Sequence, residues 1–290
     1  MTIAVTGATG HLGRLVIDSL LERGVSPAGI RALGRSAEKL AALADLGVQT
    51  RTIDFEQPDS LVPAFTGVDT LLLVSGSEVG KRLPQHANAI RAAVDAGVGR
   101  IVYTSAPHAD ATELVLAPEH AATEEMLRES GLPVTILRNN WYTENYLSQL
   151  DTAAATGEIV ASVGDGRVAS ATRADYAEAA AVVLTSEGHE GAVYELSGDS
   201  AWTFDELASV VGDLIGRDVA YRPVSREEHA GILEAAGLDE GTIGFVLALD
   251  GNIRDGALAD APGTLREIIG RPTTTLAAGL AGARTAAAAA

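Results

Sequence analysis

Gly7, Gly10 and Gly13 recur at intervals of three residues directly after the β-rich run Ile3-Ala4-Val5-Thr6. Glycines in that position suit a backbone turn that approaches a phosphate. Gly7 lets the chain reverse, Gly10 has no side chain to hold a pyrophosphate away, and Gly13 lets the next helix pack closely on the strand. Free N–H groups at the start of that helix then face the anion. The spacing is GxxGxxG, not the GxGxxG of the usual dinucleotide fingerprint. A second charged position bears on the same chemistry. After the next apolar strand the chain reads Leu33-Gly34-Arg35-Ser36, with no acid before Glu38. An acid there would hold a ribose 2′-hydroxyl, whereas a guanidinium offers a planar fork to a 2′-phosphate. Arg35 therefore predicts NADPH, with Lys39 one helical turn on as an assistant. Ser75 and Gly76 offer small groups to the adenosine ribose, and Asp54 an acceptor for the adenine amino group.

The third set concerns the reaction. Short-chain dehydrogenases use a tyrosine with a lysine four residues later. The six tyrosines here are followed at that spacing by Pro107, Tyr146, Leu150, Ala180, Gly198 and Ser225, and the chain holds only two lysines, Lys39 and Lys81. Ser105 stands where the serine of such a site is expected, but the following helix reads His120-Ala-Ala-Thr-Glu124. Reduction of an ordinary ketone makes an alkoxide that needs a proton donor. A quinone gives a delocalised anion that needs none in the transition state, so proximity over the nicotinamide suffices. The segment Leu137-Arg-Asn139-Asn140-Trp141-Tyr142-Thr143-Glu144-Asn145-Tyr146 collects flat rings and amides suited to a planar acceptor with two carbonyls. Asn139, Trp141 and Tyr142 are the expected positioning residues. Thr172 and Arg173 are placed near the cofactor, and Asp175 caps a helix.

These residues need a scaffold, and the hydrophobic pattern provides one. Short strands alternate with helices as far as Leu137, which predicts an α/β Rossmann fold: a doubly wound parallel sheet with ligands at the carboxyl ends of its strands. Residues 1–138 form the expected NADP-binding domain. Residues 139–290 form a smaller, mostly helical substrate lobe, with part of 168–197 returning to the sheet. Tyr142 to Ala155 reads as one helix, Thr203–Glu206 and Ser225–Glu228 as two capping boxes, and the alanine run 286–290 as a frayed end.

Composition narrows the function. The 290 residues are 47% hydrophobic, enough for a sizeable core, and no stretch approaches a membrane span. The first strand begins where the charged region of a signal peptide would lie, so a cytoplasmic enzyme without membrane insertion is expected. The absence of cysteine excludes disulfides, thiolate catalysis and cysteine-bound metal. A net charge of −18 argues against nucleic acid and leaves the binding of an anionic cofactor to local donors and arginines. His86, His108 and His120 lack metal-ligand spacing and read as capping or packing residues, and no metal is expected. Glu119, Glu124 and Glu125 on one helix read as a solvated face.

Taken together, several stretches carry a family resemblance. They are Val5–Gly13, Leu71–Gly80, Pro84-Gln-His86, Tyr103-Thr-Ser105 with His108-Ala-Asp110, Leu137-Arg-Asn139 with Trp141-Tyr142, Ala169–Ala177, Gly198–Thr203 and Gly270–Thr275. The chain resembles the NmrA-like, atypical short-chain dehydrogenases/reductases, above all the bacterial type 2 NAD(P)H:quinone oxidoreductases. That resemblance implies NADPH-dependent, flavin-free, two-electron reduction of a small-molecule quinone by direct hydride transfer, and is compatible with a homodimer. It places cofactor contacts on Gly7, Ala8, Thr9, Gly10, His11 and Leu12, on Arg35, on Ser75, Gly76 and Ser77, and on Asn139, Asn140, Trp141, Tyr142, Thr143 and Glu144. Gly76 departs from a frequent serine and Asn140 from a frequent glycine. The rival is an NmrA-type redox-sensing regulator that binds NADP without turnover. The ring-lined loop favours the enzyme.

Overall fold

The computed structural model describes residues 1–76, 78 and 80–289. Strand β1 (Ile3–Val5) leads through a turn at Gly7, φ +58°, into helix α1 (His11–Glu22). There follow β2 (Ile30–Gly34), α2 (Ala37–Ala44), β3 (Gln49–Thr52), α3 (Leu61–Phe65), β4 (Thr70–Leu73), α4 (Arg82–Asp95), β5 (Arg100–Ser105), α5 (Ala117–Glu129) and β6 (Val134–Asn139). The chain continues with α6 (Ser148–Thr156), β7 (Glu158–Ala161), β8 (Arg167–Val168), α7 (Arg173–Thr185), β9 (Val193–Leu196), β10 (Trp202–Thr203), α8 (Phe204–Ile215) and β11 (Ala220–Pro223). Helices α9 (Arg226–Ala235), α10 (Glu240–Arg254), α11 (Thr264–Ile269) and α12 (Leu276–Ala289) complete it.

Two compact units result. The first comprises residues 1–110, 116–139 and 173–195. Its sheet has the order β3-β2-β1-β4-β5-β6-β9, with parallel pairing from β3 through to β6. Every residue of β4 and β6 is buried, as expected of parallel strands covered on both faces. The order reverses at β1, whose neighbours are β2 and β4, and such a reversal opens a crevice at the strands' carboxyl ends. Helix α7 packs on α1 through small side chains, with Ala177, Ala180 and Ala181 buried, and Arg100 donates to the terminal carbonyls of Val183 and Leu184. The sheet is thus the α/β Rossmann fold expected from the sequence.

The second unit comprises residues 111–115, 140–172 and 196–290. It holds two small sheets, parallel β7–β11 and antiparallel β8–β10, among helices. Tyr146, Trp202, Phe204 and Tyr221 form a chain of edge and tilted ring contacts, with Tyr146 and Trp202 centroids 4.8 Å apart. Asp250 on α10 joins this unit's elements: its Oδ2 accepts from Ser162 N and Oγ at 2.7 and 2.8 Å and lies 2.8 Å from His229 Nδ1 on α9. Despite its composition this is no nucleophilic triad, because the serine hydroxyl donates to the carboxylate and not to a histidine base.

Three expectations need correction. The helix expected from Tyr142 to Ala155 is divided into a single 3-10 turn, Thr143–Tyr146, and α6. Tyr142 is held extended (φ −87°, ψ 130°) and bridges Ala171, so helical hydrogen bonding cannot begin before it. The box at Thr203 is reciprocal, whereas at Ser225 only the serine side of the cap is formed. Finally, the terminal alanines continue α12 as far as Ala289, in keeping with alanine's helix propensity. No helix among the described residues is long and apolar enough to cross a membrane.

Candidate active site

A cavity of about 490 Å³ opens at the switch point of the first unit. Gly7, Thr9, Gly10, His11, Leu12 and Gly13 form one wall, Gly34, Arg35, Ser36 and Lys39 a second, and Val74, Ser75, Gly76 and Glu78 a third. Ile53, Asp54 and Phe55 close the side beyond β3. The geometry of the glycines follows their proposed division of labour. A Cβ on Gly13 would lie 2.3 Å from Gly7 O and 2.7 Å from Gly7 C, so only glycine allows α1 to sit against the turn. Gly10 differs: its backbone is extended (φ −89°, ψ 170°), and a Cβ would meet only Gly7 O, at 3.2 Å. Gly10 is also the N-cap of α1 and offers no side-chain cap, which leaves the helix start open to an anion. These features fit a dinucleotide pyrophosphate.

A buried polar network fixes the third wall. Thr123 Oγ1 donates to Glu119 O at 2.8 Å, so its oxygen accepts the Nδ1 proton of His86 at 3.0 Å. That sets the tautomer. His86 Nε2 accepts the N–H of Gly76 at 3.1 Å, while Arg82 Nε donates to the carbonyl of the same glycine at 2.9 Å. Gly76 is therefore clamped on both sides, and a Cβ there would stand 3.3 Å from Gln85 Oε1. Burial, helped by Arg82, lowers the pKa of His86 to about 3, and the same causes together with His86 lower that of His120 to about 3. Ser75 N is held by Thr104 Oγ1 at 2.9 Å. His86 and His120 are packing residues, as expected, whereas His108 is partly exposed, with Nδ1 3.4 Å from Glu195 Oε1.

Two of the three acids singled out on α5, Glu119 and Glu124, depart from expectation, while Glu125 is exposed as expected. Glu124 is fully buried, accepts from Ser105 Oγ at 2.7 Å, and is gripped at both oxygens by Arg138 (2.9 and 2.7 Å) and by Arg128 (2.8 Å). Glu119 binds the buried Arg82 at 2.8 Å. These carboxylates are structural partners of arginines and not a solvated face. Sequence inspection missed them because α5 turns His120, Thr123, Glu124 and Leu127 to one buried stripe, and three of those four are polar.

Arg35 is not unopposed. Its Nη1 lies 2.8 Å from Glu78 Oε1, and Lys81 Nζ lies 3.4 Å from Oε2 of the same carboxylate. Arg35, followed by Lys81, holds the Glu78 carboxyl below the usual carboxylate range. Asp54 accepts from Glu56 N at 2.9 Å, a turn contact, while lining the cavity. Ala8 is fully buried, its N–H bound to Leu33 O. Ser77 lies outside the described residues.

Asn139 ends β6, buried, and its Oδ1 has no hydrogen-bond partner among the described residues. Arg173 opens α7 in the first unit. The remaining loop positions belong to the second unit. There Asn140 Nδ2 donates to Leu258 O, Asn140 Oδ1 accepts from Trp141 N, and Thr143 is fully buried with its hydroxyl 2.9 Å from Ser170 Oγ. Trp141, Tyr142 and Glu144 are half-buried. Tyr146 is a core anchor, and burial raises its pKa.

Residues 7–187 match the family described as NAD(P)H-binding. Quinone oxidoreductase 2 of Escherichia coli is 48% identical over 275 residues, covering 95% of this chain and 96% of that protein. The structure of NADPH-dependent quinone oxidoreductase from Escherichia coli complexed with NADPH superposes with a TM-score of 0.93 at 47% identity, covering 97% of this chain and 99% of that one. Triphenylmethane reductase of Citrobacter sp. complexed with NADP(H) gives a TM-score of 0.92 at 41% identity, covering 97% and 100%. An NmrA-like family domain-containing oxidoreductase of Aspergillus flavus is 30% identical over 93% of this chain and 91% of its own length. An open helix start, a glycine cradle and full-length similarity agree: the chain belongs to the NAD(P)H-binding, NmrA-like oxidoreductase family, alongside the bacterial quinone oxidoreductase 2 enzymes.

Proposed function

We propose that this protein is an NADPH-dependent, flavin-free oxidoreductase that reduces quinones by two electrons through direct hydride transfer. The observation that carries this reading is the cavity at the switch point, whose glycines, open helix start and guanidinium match a dinucleotide bearing a 2′-phosphate. The bound cofactor supplies the hydride. The chain supplies the grip: N–H groups of His11, Leu12 and Gly13 for the pyrophosphate, Arg35 and Lys39 for the 2′-phosphate, and Ser75 and Gly76 for the adenosine ribose. The unpartnered Asn139 Oδ1 suits an N–H donor such as the nicotinamide amide. Asn139, Trp141 and Tyr142 are the proposed positioning residues for the acceptor.

Quinone is favoured as acceptor by the 48% identical relative and by the state of three tyrosines, Tyr103, Tyr146 and Tyr221. Burial raises Tyr103 and Tyr146, and takes Tyr221 to about 12. A tyrosine acid for ketone reduction calls for the opposite shift. Tyr103 instead shares a 2.8 Å hydrogen bond with His120 Nδ1. A quinone needs no such acid in the hydride step. This activity suits a cytoplasmic location, a diffusible small-molecule partner without nucleic acid, and a homodimer.

The test is oxidation of NADPH by para-benzoquinone, followed at the near-ultraviolet band of the reduced nicotinamide. Expected are turnover by protein lacking flavin absorbance, intersecting initial-rate lines, and slower chemistry with NADPH deuterated at the transferred position. Parallel lines would rule out direct transfer. Tight NADPH binding without oxidation by any quinone would favour the NmrA-type regulator.

A further inference from the structure

We infer that Glu78 is a specificity-determining residue for the cofactor: its carboxylate occupies the Arg35 guanidinium until a 2′-phosphate displaces it, which limits the preference for NADPH over NADH. The inference rests on Arg35 as the receiver of the 2′-phosphate. Both residues line the same cavity, Arg35 from the end of β2 and Glu78 from the loop after β4. Their ion pair spans 2.8 Å between groups 43 positions apart in sequence. The Arg35 side chain is 71% exposed and the Glu78 side chain 35%, so the pair is open to exchange with a ligand at the cavity surface.

The second oxygen of Glu78 is tethered as well. Lys81 lies 3.4 Å from it and also binds Glu56 at 3.2 Å, while Glu56 accepts from Gln85 Nε2 at 3.3 Å. Glu78 is therefore held beside Arg35 from two sides. Dinucleotide folds that select NAD place an acid at the end of the second strand, where it accepts from the ribose 2′-hydroxyl and repels a 2′-phosphate. Here β2 ends without one, and the loop after β4 delivers the carboxylate to the same guanidinium. A 2′-phosphate must take Arg35 from Glu78 and then tolerate that carboxylate nearby. A 2′-hydroxyl requires neither, and Glu78 can accept from it. The same cavity thus contains a group for each cofactor.

The full-length protein with Glu78→Gln tests this, with NADPH and NADH affinities measured by titration of the reduced-nicotinamide fluorescence. Expected is NADPH binding tighter by about two- to fivefold, the scale of one exposed ion pair, with NADH unchanged or weaker. The gain shrinks as salt is raised and disappears in an Arg35→Ala background. Competition by adenosine 2′-monophosphate, but not by the 5′-isomer, shows the same gain. If Arg35→Ala lowers the NADPH to NADH ratio while Glu78→Gln leaves it unchanged, this inference fails and the role of Arg35 stands. Weaker NADPH binding by Glu78→Gln would make Glu78 a support that orients Arg35, again contrary to the inference. If Arg35→Ala leaves the ratio unchanged, both fall together.

Discussion

Replacing Gly10 with valine separates cofactor binding from folding, and the structure supplies the size of each effect. The Gly10 backbone is extended, a conformation valine adopts freely, and the new Cβ would stand 3.2 Å from Gly7 O, so that carbonyl must yield by a few tenths of an ångström. Loss of a glycine N-cap costs at most about 1 kcal/mol. In a chain of this size that corresponds to a melting shift of about 4 °C or less. The valine methyls, however, project into the cavity at the helix start, where the pyrophosphate has to approach. Loss of two charge-assisted hydrogen bonds, each worth about 1.5–3 kcal/mol, removes about 3–6 kcal/mol of binding. That is roughly two to four orders of magnitude in affinity. Calorimetric titration with NADPH, on a variant whose circular dichroism and melting match the parent, reads the two effects separately. Micromolar binding retained by Gly10→Val would show that this turn does not hold phosphate.

Gly13→Ala should fail in the other way: a Cβ 2.3 Å from Gly7 O and 3.0 Å from Ala8 Cα forces backbone apart, at about 3 kcal/mol or more in a denaturant titration. An unchanged midpoint would contradict that close approach. His86 and His120 stay neutral when folded, with pKa values near 3, while the unfolded chain takes up their protons around pH 6.5. Their contribution to stability is therefore complete above pH 6.5 and is lost as pH falls toward 3, at about 1.4 kcal/mol per pH unit for each histidine. His86→Asn or His120→Gln should flatten the acid limb of a stability–pH curve, and an unaltered slope would mean that these rings are charged in the native state. Arg138→Met strips the buried Glu124 of its bidentate partner and should cost about 3–5 kcal/mol, with much of it recovered when Glu124→Leu is added. Urea midpoints of the two variants decide it, since a loss in the single variant that its double does not reduce would point elsewhere than the pair.

The local grammar of the chain determined much of this architecture. A β-rich run, glycines at three-residue intervals and helical periodicity after His11 specify strand, turn and helix, because each depends on residues only a few positions apart. The conformations of Gly7 and the open N-terminus of α1 belong to that level, and so does the placement of Arg35 at the end of β2. Alternating strands and helices then lead to a parallel sheet, and its switch point puts the cavity at the end of β1. Local patterns were also misread where polarity was taken for exposure. On α5 the spacing of His120, Thr123, Glu124 and Leu127 is that of a buried stripe, although its composition is not. Tertiary structure alone decided the charge pairs: Glu78 with Arg35, Glu124 with Arg138, and Glu119 with Arg82. Each joins side chains far apart in sequence, and a carboxylate carries no mark in the sequence of which guanidinium the sheet will bring within reach. For Glu124, Arg138 and Arg82 burial then raises the cost of leaving the charge alone, so those pairings are settled only when the strands and helices have packed.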